Sequence, residues 1–320
     1  MSSAVDRFVA EVEPTRLRPE EVERSGPGAI EVEPSTLNPE KLEPSGLKFD
    51  LFEGKSPDPD AFRVFGGWLV AQALAAAGAT VDADRVPHSL HASFLRPADA
   101  TLPLTYRVTR TLQGRTLSHR RVDVLQGDRI VVHLVASFRV TRPESPFDHA
   151  PSAPAAPAPD TLATLGQLLD TLRGPLRRPG LVRYNPIDMR FVDPPTWADE
   201  TFTARPPHNA LWCRTDGELP DDPLLHACAV AYATDLTFLD TLVLPHADTL
   251  AGRWMPRASL DHTIRFHRPF RADRWWLFDQ EGTTLHGTHG TVHGRLFDAA
   301  GRLFATVGQE ALFGEPVDHR

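Results

Sequence analysis

Cysteine is nearly absent: Cys213 and Cys228 are the only two in 320 residues. That excludes a disulfide framework and a cysteine-based zinc site, and suits a reducing cytoplasm. Basic runs are also missing. The 34 Lys and Arg residues are outnumbered by 42 Asp and Glu, for a net charge of −8, which argues against a nucleic-acid partner. No run approaches the roughly 18 apolar residues of a membrane span. The opening MSSAVDRFVAEVEPTR lacks a charged segment followed by an apolar one, and the closing PVDHR is not a peroxisomal address. The expectation is a soluble, cytoplasmic protein without a membrane span. There is no G-x-S-x-G, so a serine hydrolase of the nucleophile-elbow type is disfavoured.

Proline, in contrast, is abundant: 30 residues, about 9% against the usual ~5%. It concentrates in two places. Residues 1–47 form an acidic, Pro-rich extension in which EVEPTRLRPEEVERSG (11–26) recurs as EVEPSTLNPEKLEPSG (31–46). With so few apolar residues it reads as a tail, mobile or draped on the surface. Residues 143–181 carry SAPAAPAPD and one short helical pattern, TLATLGQLLDTLRG, and read as a semi-rigid linker. The chain thus divides into a tail, a first half (48–142), a linker and a second half (182–315).

The two halves repeat each other at an offset near 172 residues. Arg96-Pro97 falls against Arg268-Pro269, and the turn Gln126–Arg129 against the turn Asp298–Arg302, each between alternating apolar runs. That is strand, turn, strand, twice. Ahead of the strands each half has a segment apolar nearly all round, Gly66–Val81 and Pro223–Leu242, and a helix without a polar face is buried. The expected fold class is α+β, each half an antiparallel sheet wrapped around a central helix.

Asp235 interrupts the second apolar segment, where a buried carboxylate has to be paired, protonated or used. It either bonds a neighbouring turn or serves chemistry. The first helix has only Gln72 and no acid, so the architecture does not require one. In the last strand Gln309 falls against Ala136, and by alternation Gln309 and Glu310 point to opposite faces. Gln309 either satisfies a local backbone group or joins a site. Ser259 opens the strand ASLDHTIRFH, a place where serine is often structural. His88, His91, His262 and His267 are read mainly as groups satisfying strands or turns. His286, His289 and His293 lie in a strand pattern where only the last two share a face, so no metal site is expected.

The strings FRVFGGWLVAQALAAAG, HSLHASFLRPAD, YATDLTFLD, LDHTIRFHRPF and GRLFATVGQEALF resemble the acyl-CoA thioesterase II (TesB-like) family over about 48–140 and 182–313. The resemblance implies a double hotdog fold and hydrolysis of an acyl-CoA thioester without a cofactor or covalent intermediate. The family's Asp, Ser or Thr, and Gln, which together hold the attacking water, correspond to Asp235, Ser259 and Gln309. Burial is expected to raise the basicity of Asp235. Gly66, Gly67 and Trp68 stand where the helix N-terminus would bind the substrate's oxyanion, although the glycines equally suit tight packing. Trp68 replaces a family Gln, and its indole is expected to reshape the acyl pocket. A homodimer or homotetramer is implied. The alternatives are a non-hydrolytic acyl-thioester-binding or biosynthetic accessory protein, or a hydrolase of acyl carrier protein thioesters.

Overall fold

The computed structural model describes residues 3–17, 49–142, 146–170, 185–198, 203–251 and 253–318. The first part contains helix α1 (Ala4–Val12) and strands β1 (Thr15–Arg16) and β2 (Phe49–Gly54), followed by helix α2 (Gly66–Gly78). Strands β3 (Arg85–Phe94), β4 (Leu104–Gln113), β5 (Leu117–Gln126) and β6 (Arg129–Val140) complete the first half. After the short helix α3 (Leu165–Asp170) come β7 (Ile187–Phe191), β8 (His208–Thr215), helix α4 (Pro223–Thr234) and a 3-10 helix, Phe238–His246. The remaining strands are β9 (Arg253–Trp254), β10 (Arg257–Ser259), β11 (Asp261–Phe266), β12 (Trp276–His286), β13 (His289–Asp298), β14 (Leu303–Phe313) and β15 (Val317–Asp318).

The absence of a polar face decides where the helices go. Every residue of α2 from Gly67 to Ala77 and of α4 from Leu225 to Thr234 is buried. Asp222 caps α4 by accepting the Leu224 N–H at 2.9 Å, and Pro223 occupies the first helical position. Around this pair curves one antiparallel sheet in the order β1-β2-β4-β5-β6-β3-β11-β14-β13-β12-β8-β7, with β10 also on β14. The expected turns are present, and Gly127 and Gly301 occupy their left-handed positions at φ 60° and 75°.

The halves meet where β3 pairs with β11. Their register sets His91 opposite Thr263, and these two residues are 172 apart, which makes them equivalents in the repeat. The pseudo-twofold axis therefore passes through this pair, whose side chains bond at 2.7 Å. It also makes α2 and α4 antiparallel: Gly78 abuts Leu224 at one end and Gly66 abuts Asp235 at the other. Arg96 and Arg268 do matching work, bonding the Ile130 and Leu303 carbonyls at 2.9 and 3.0 Å. Adjacent Trp275 and Trp276 part as alternation predicts. Trp276 enters the core beside Phe278 and Phe304, while Trp275 lies outside under Arg214, whose guanidinium is 4.3 Å from the ring centroid.

Three expectations are corrected. The N-terminal extension is not all tail: α1 is a docked helix with Val5, Phe8 and Val12 buried. Ser3 and Asp6 form a capping box, and Gln72 closes the other end by donating to the Glu11 carbonyl at 2.7 Å. The repeated motif from residue 18 onward lies outside the described residues. The linker, second, is a strap as well as a spacer. Trp212 donates to the Pro157 carbonyl at 2.9 Å, Arg268 pairs with Asp148, and Ala153 and Ala156 cover Ala210, Leu277, Phe297 and Leu303 on the sheet's outer face. Third, Pro223–His246 is long and apolar enough to cross a membrane by length and composition. Its most apolar window is 89% buried inside the protein, as befits a core element.

Candidate active site

Helix α4 stops earlier than its apolar run suggests. Asp235 is not inside a helix but is its C-cap residue, at φ −88° and ψ −9°. The apolar residues continue through a turn into the 3-10 helix, so hydropathy alone conceals the break. At the last helical position the Thr234 hydroxyl accordingly lies 2.9 Å from the Val230 carbonyl, within reach of the back-bond that loosens a helix end.

Three elements bring the expected triad together. From β14, Gln309 donates its amide Nε2 to Asp235 Oδ1 at 2.8 Å and makes a short contact with Ser259 Oγ. Ser259, the last residue of β10, donates more loosely to the same Asp235 oxygen, at 3.4 Å. Alternation in β14 turns Gln309 inward, only 3% exposed, while Glu310 uses its backbone N–H to hold Asp261.

A fourth contact comes from the other half. Asp235 accepts the backbone N–H of Gly67, in the first turn of α2. Burial pushes its carboxyl up to about 6, even though the bonds from Gln309, Gly67 and Ser259 and the charge of Arg63 all favour the ionised form. A carboxylate so poised can take a proton near neutral pH.

The two glycines serve this junction sterically. A Cβ on Gly66 would stand 2.8 Å from Asp235 Oδ2, and one on Gly67 would stand 2.7 Å from the Tyr232 carbonyl. Of the N–H groups in this turn, Gly67 is committed to Asp235 and Trp68 to the Phe65 carbonyl at 3.1 Å. Gly66, at the first helical position, is left without an intrahelical acceptor. The Trp68 indole is turned into packing: it donates to the Lys55 carbonyl at 2.9 Å and meets Phe8 and Tyr232 edge-on.

A histidine read from the sequence only as satisfying a strand or turn stands behind the triad. His262 is fully buried, with Nδ1 3.2 Å from Gln309 Oε1 and Nε2 3.0 Å from Thr234 Oγ1. The clue lay in the repeat, where His262 falls against Leu90 just as Gln309 falls against Ala136. In the first half those two residues pair across β3 and β6, and Pro87 and the C-cap residue Ala79 hold the places of Ser259 and Asp235. Those four positions of the first half are thus apolar, although the buried Arg120, opposite Ala136, bonds Thr80 just past the end of α2. Among the described residues no group of three or more His, Cys, Asp or Glu side chains is placed to hold a metal ion.

Sequence models of the acyl-CoA thioesterase N-terminal and C-terminal domains match residues 56–139 and 148–313, the second taking in the strap. Acyl-coenzyme A thioesterase 8 of Mus musculus is 38% identical over 277 residues, 83% of this chain and 85% of that protein. The crystal structure of acyl-CoA thioesterase II TesB2 from Mycobacterium marinum aligns with a TM-score of 0.66 at 34% identity, covering 83% and 93% of the two chains. A protein of unknown function with a hot dog fold from Alicyclobacillus acidocaldarius aligns at 0.67 and 20% identity over 85% and 96%, a likeness of fold.

Proposed function

The chain belongs to the acyl-CoA thioesterase family, a double hotdog hydrolase of acyl-CoA thioesters, and from that premise we propose that Asp235 is its general base. The carrying observation is the convergence of Gln309, Ser259 and the Gly67 N–H on one carboxyl held at about 6. A water bound beside Asp235 and Ser259 attacks the thioester carbonyl carbon and loses a proton to Asp235. The carbonyl π pair moves to oxygen, where the Gly66 N–H is the available donor. Collapse of the tetrahedral intermediate breaks the C–S bond. The departing sulfur takes the proton from Asp235, which yields free acid and CoA thiol and restores the base. These side chains supply every proton transfer, so we assign no cofactor.

The test is thiol release from butanoyl-, decanoyl- and palmitoyl-CoA by the wild type and by Asp235→Asn, both checked for folding by circular dichroism. Loss of a general base lowers kcat by ~100-fold or more. The wild-type rate rises through about pH 6 to a plateau, because the base must be ionised. An Asp235→Asn variant with wild-type turnover rules this assignment out.

A further inference from the structure

Gln309 can serve this chemistry in only one orientation. A primary amide is nearly the same shape either way round, and its hydrogen-bond partners decide which end is oxygen. Turned over, Gln309 would set its carbonyl oxygen against the Asp235 carboxylate.

The Asp235 carboxylate, which only accepts, sets that orientation, and His262 holds it from the other end. Its Nδ1 is 3.2 Å from Gln309 Oε1, and because that oxygen can only accept, Nδ1 carries the proton. Nε2 of the neutral ring is then an acceptor, and the Thr234 hydroxyl, 3.0 Å away, turns its single proton to it and away from the Val230 carbonyl at 2.9 Å. The bonds run in one sense, from Thr234 to His262 to Gln309 to Asp235, and the circuit closes through the peptide bond between Thr234 and Asp235. The groups facing the ring are Gln309 from β14, Thr234 from α4 and the edge-on Phe238 from the 3-10 helix, with His91 on β3 adding a like charge when protonated. Burial holds the imidazole down to about 4, so it remains neutral wherever Asp235 is ionised.

The fold does not need a histidine there. In the first half the same place holds Leu90, 2% exposed, against Ala136. Both members of that pair are polar only in the half that carries the acid. We propose that His262 is a positioning residue that holds the orientation of the Gln309 amide, and through it the hydrogen bonds received by Asp235 and Ser259. The inference rests on the hydrolytic reading above.

The experiment compares the full-length wild type with His262→Leu, His262→Asn, Gln309→Ala, the double variant His262→Leu/Gln309→Ala, and Asp235→Asn, on whichever of the three acyl-CoAs the wild type turns over fastest. His262→Leu, which reproduces the packing of the first half, lowers kcat about tenfold with KM within about twofold. His262→Asn can donate from nearly the same point as Nδ1 and recovers at least about threefold of that loss. In the double variant the His262 substitution adds nothing to Gln309→Ala, because it acts only through that side chain. The acid limb of the rate profile moves to higher pH in His262→Leu, where Asp235 loses its donor, and returns towards the wild-type position in His262→Asn. Multiplicative losses in the double variant, or wild-type kcat in His262→Leu, overturn the proposal. Should His262→Leu fail to fold, His262→Asn and Thr234→Val take its place. Thr234→Val then lowers kcat severalfold at unchanged KM, and wild-type kcat in both variants is equally fatal. Full turnover in Asp235→Asn would instead break the assignment of Asp235 as the base, on which this inference rests.

Discussion

Replacing Asp235 by Asn is expected to make the protein more stable while it destroys activity, and the sign of the stability change should depend on pH. The folded carboxyl is held at about 6, against ~3.9 in an unfolded chain. Below about pH 4 it is protonated in both states, and its pKa contributes no difference. As pH rises from there the unfolded chain ionises first, so the wild type loses stability until both states are ionised above about 6. The accumulated loss is about two units at ~1.4 kcal/mol each, or ~3 kcal/mol. Asparagine escapes that loss. Its amide offers one oxygen where the carboxylate had two, so a donor that faced the lost oxygen meets an NH2, which costs about 1 kcal/mol. The variant should therefore be about 2 kcal/mol more stable than the wild type at pH 8 and about 1 kcal/mol less stable at pH 4. Urea denaturation at pH 4, 6 and 8, with a common slope in denaturant, reads the difference directly. A gap between the two proteins that does not vary with pH, or a wild type that is the more stable at pH 8, would show that Asp235 is not held under strain by burial.

Two further substitutions probe the frame around the site. Phe8→Ala removes a ring that is 1% exposed and packed edge-on against Trp68 and Tyr232. It should cost about 3–5 kcal/mol if α1 is an integral part of the core, whereas a urea midpoint within error of the wild type would return α1 to the status of a tail. Gly67→Ala would press a methyl group to 2.7 Å from the Tyr232 carbonyl and 2.5 Å from the Phe65 ring. It should cost about 1–3 kcal/mol as the helices are levered apart and should lower kcat as the N–H of residue 67 leaves Asp235. Normal stability and turnover together would mean that the helix pair is looser than described.

What the sequence disclosed and what it hid have separate physical causes. The duplication is legible because strand alternation and turn chemistry are local, and the offset seen in residues such as Arg96 and Arg268 reappears as the axis through His91 and Thr263. Gln309 stands out for the same reason, since its first-half counterpart is Ala136. The end of α4 is hidden because Leu236, Phe238 and Leu242 continue the apolar pattern past the turn. Helix α1 is obscured by its acidic, Pro-rich surroundings, although Val5, Phe8 and Val12 keep a helical spacing and Ser3 and Asp6 form its cap. His262 was visible as a polar residue opposite Leu90, but its task depends on a partner 47 positions away in β14. Long-range polar pairing of that kind leaves no periodicity behind.

The meeting of α2 and α4 also bears on why two such halves are joined in one chain. The acid and its companions come from one copy, while the glycine notch and the N–H that grips the acid come from the other. Two identical copies paired about an axis would present this junction twice, and every change at one would be imposed on its twin. Covalent fusion releases that constraint. One junction can fill with Ala79, Pro87, Leu90 and Ala136 and become ballast, while the other retains Asp235, Ser259, His262 and Gln309. Neither half is then a smaller version of the enzyme, and severing them would leave one fragment with a base and no socket, the other with a socket and no base.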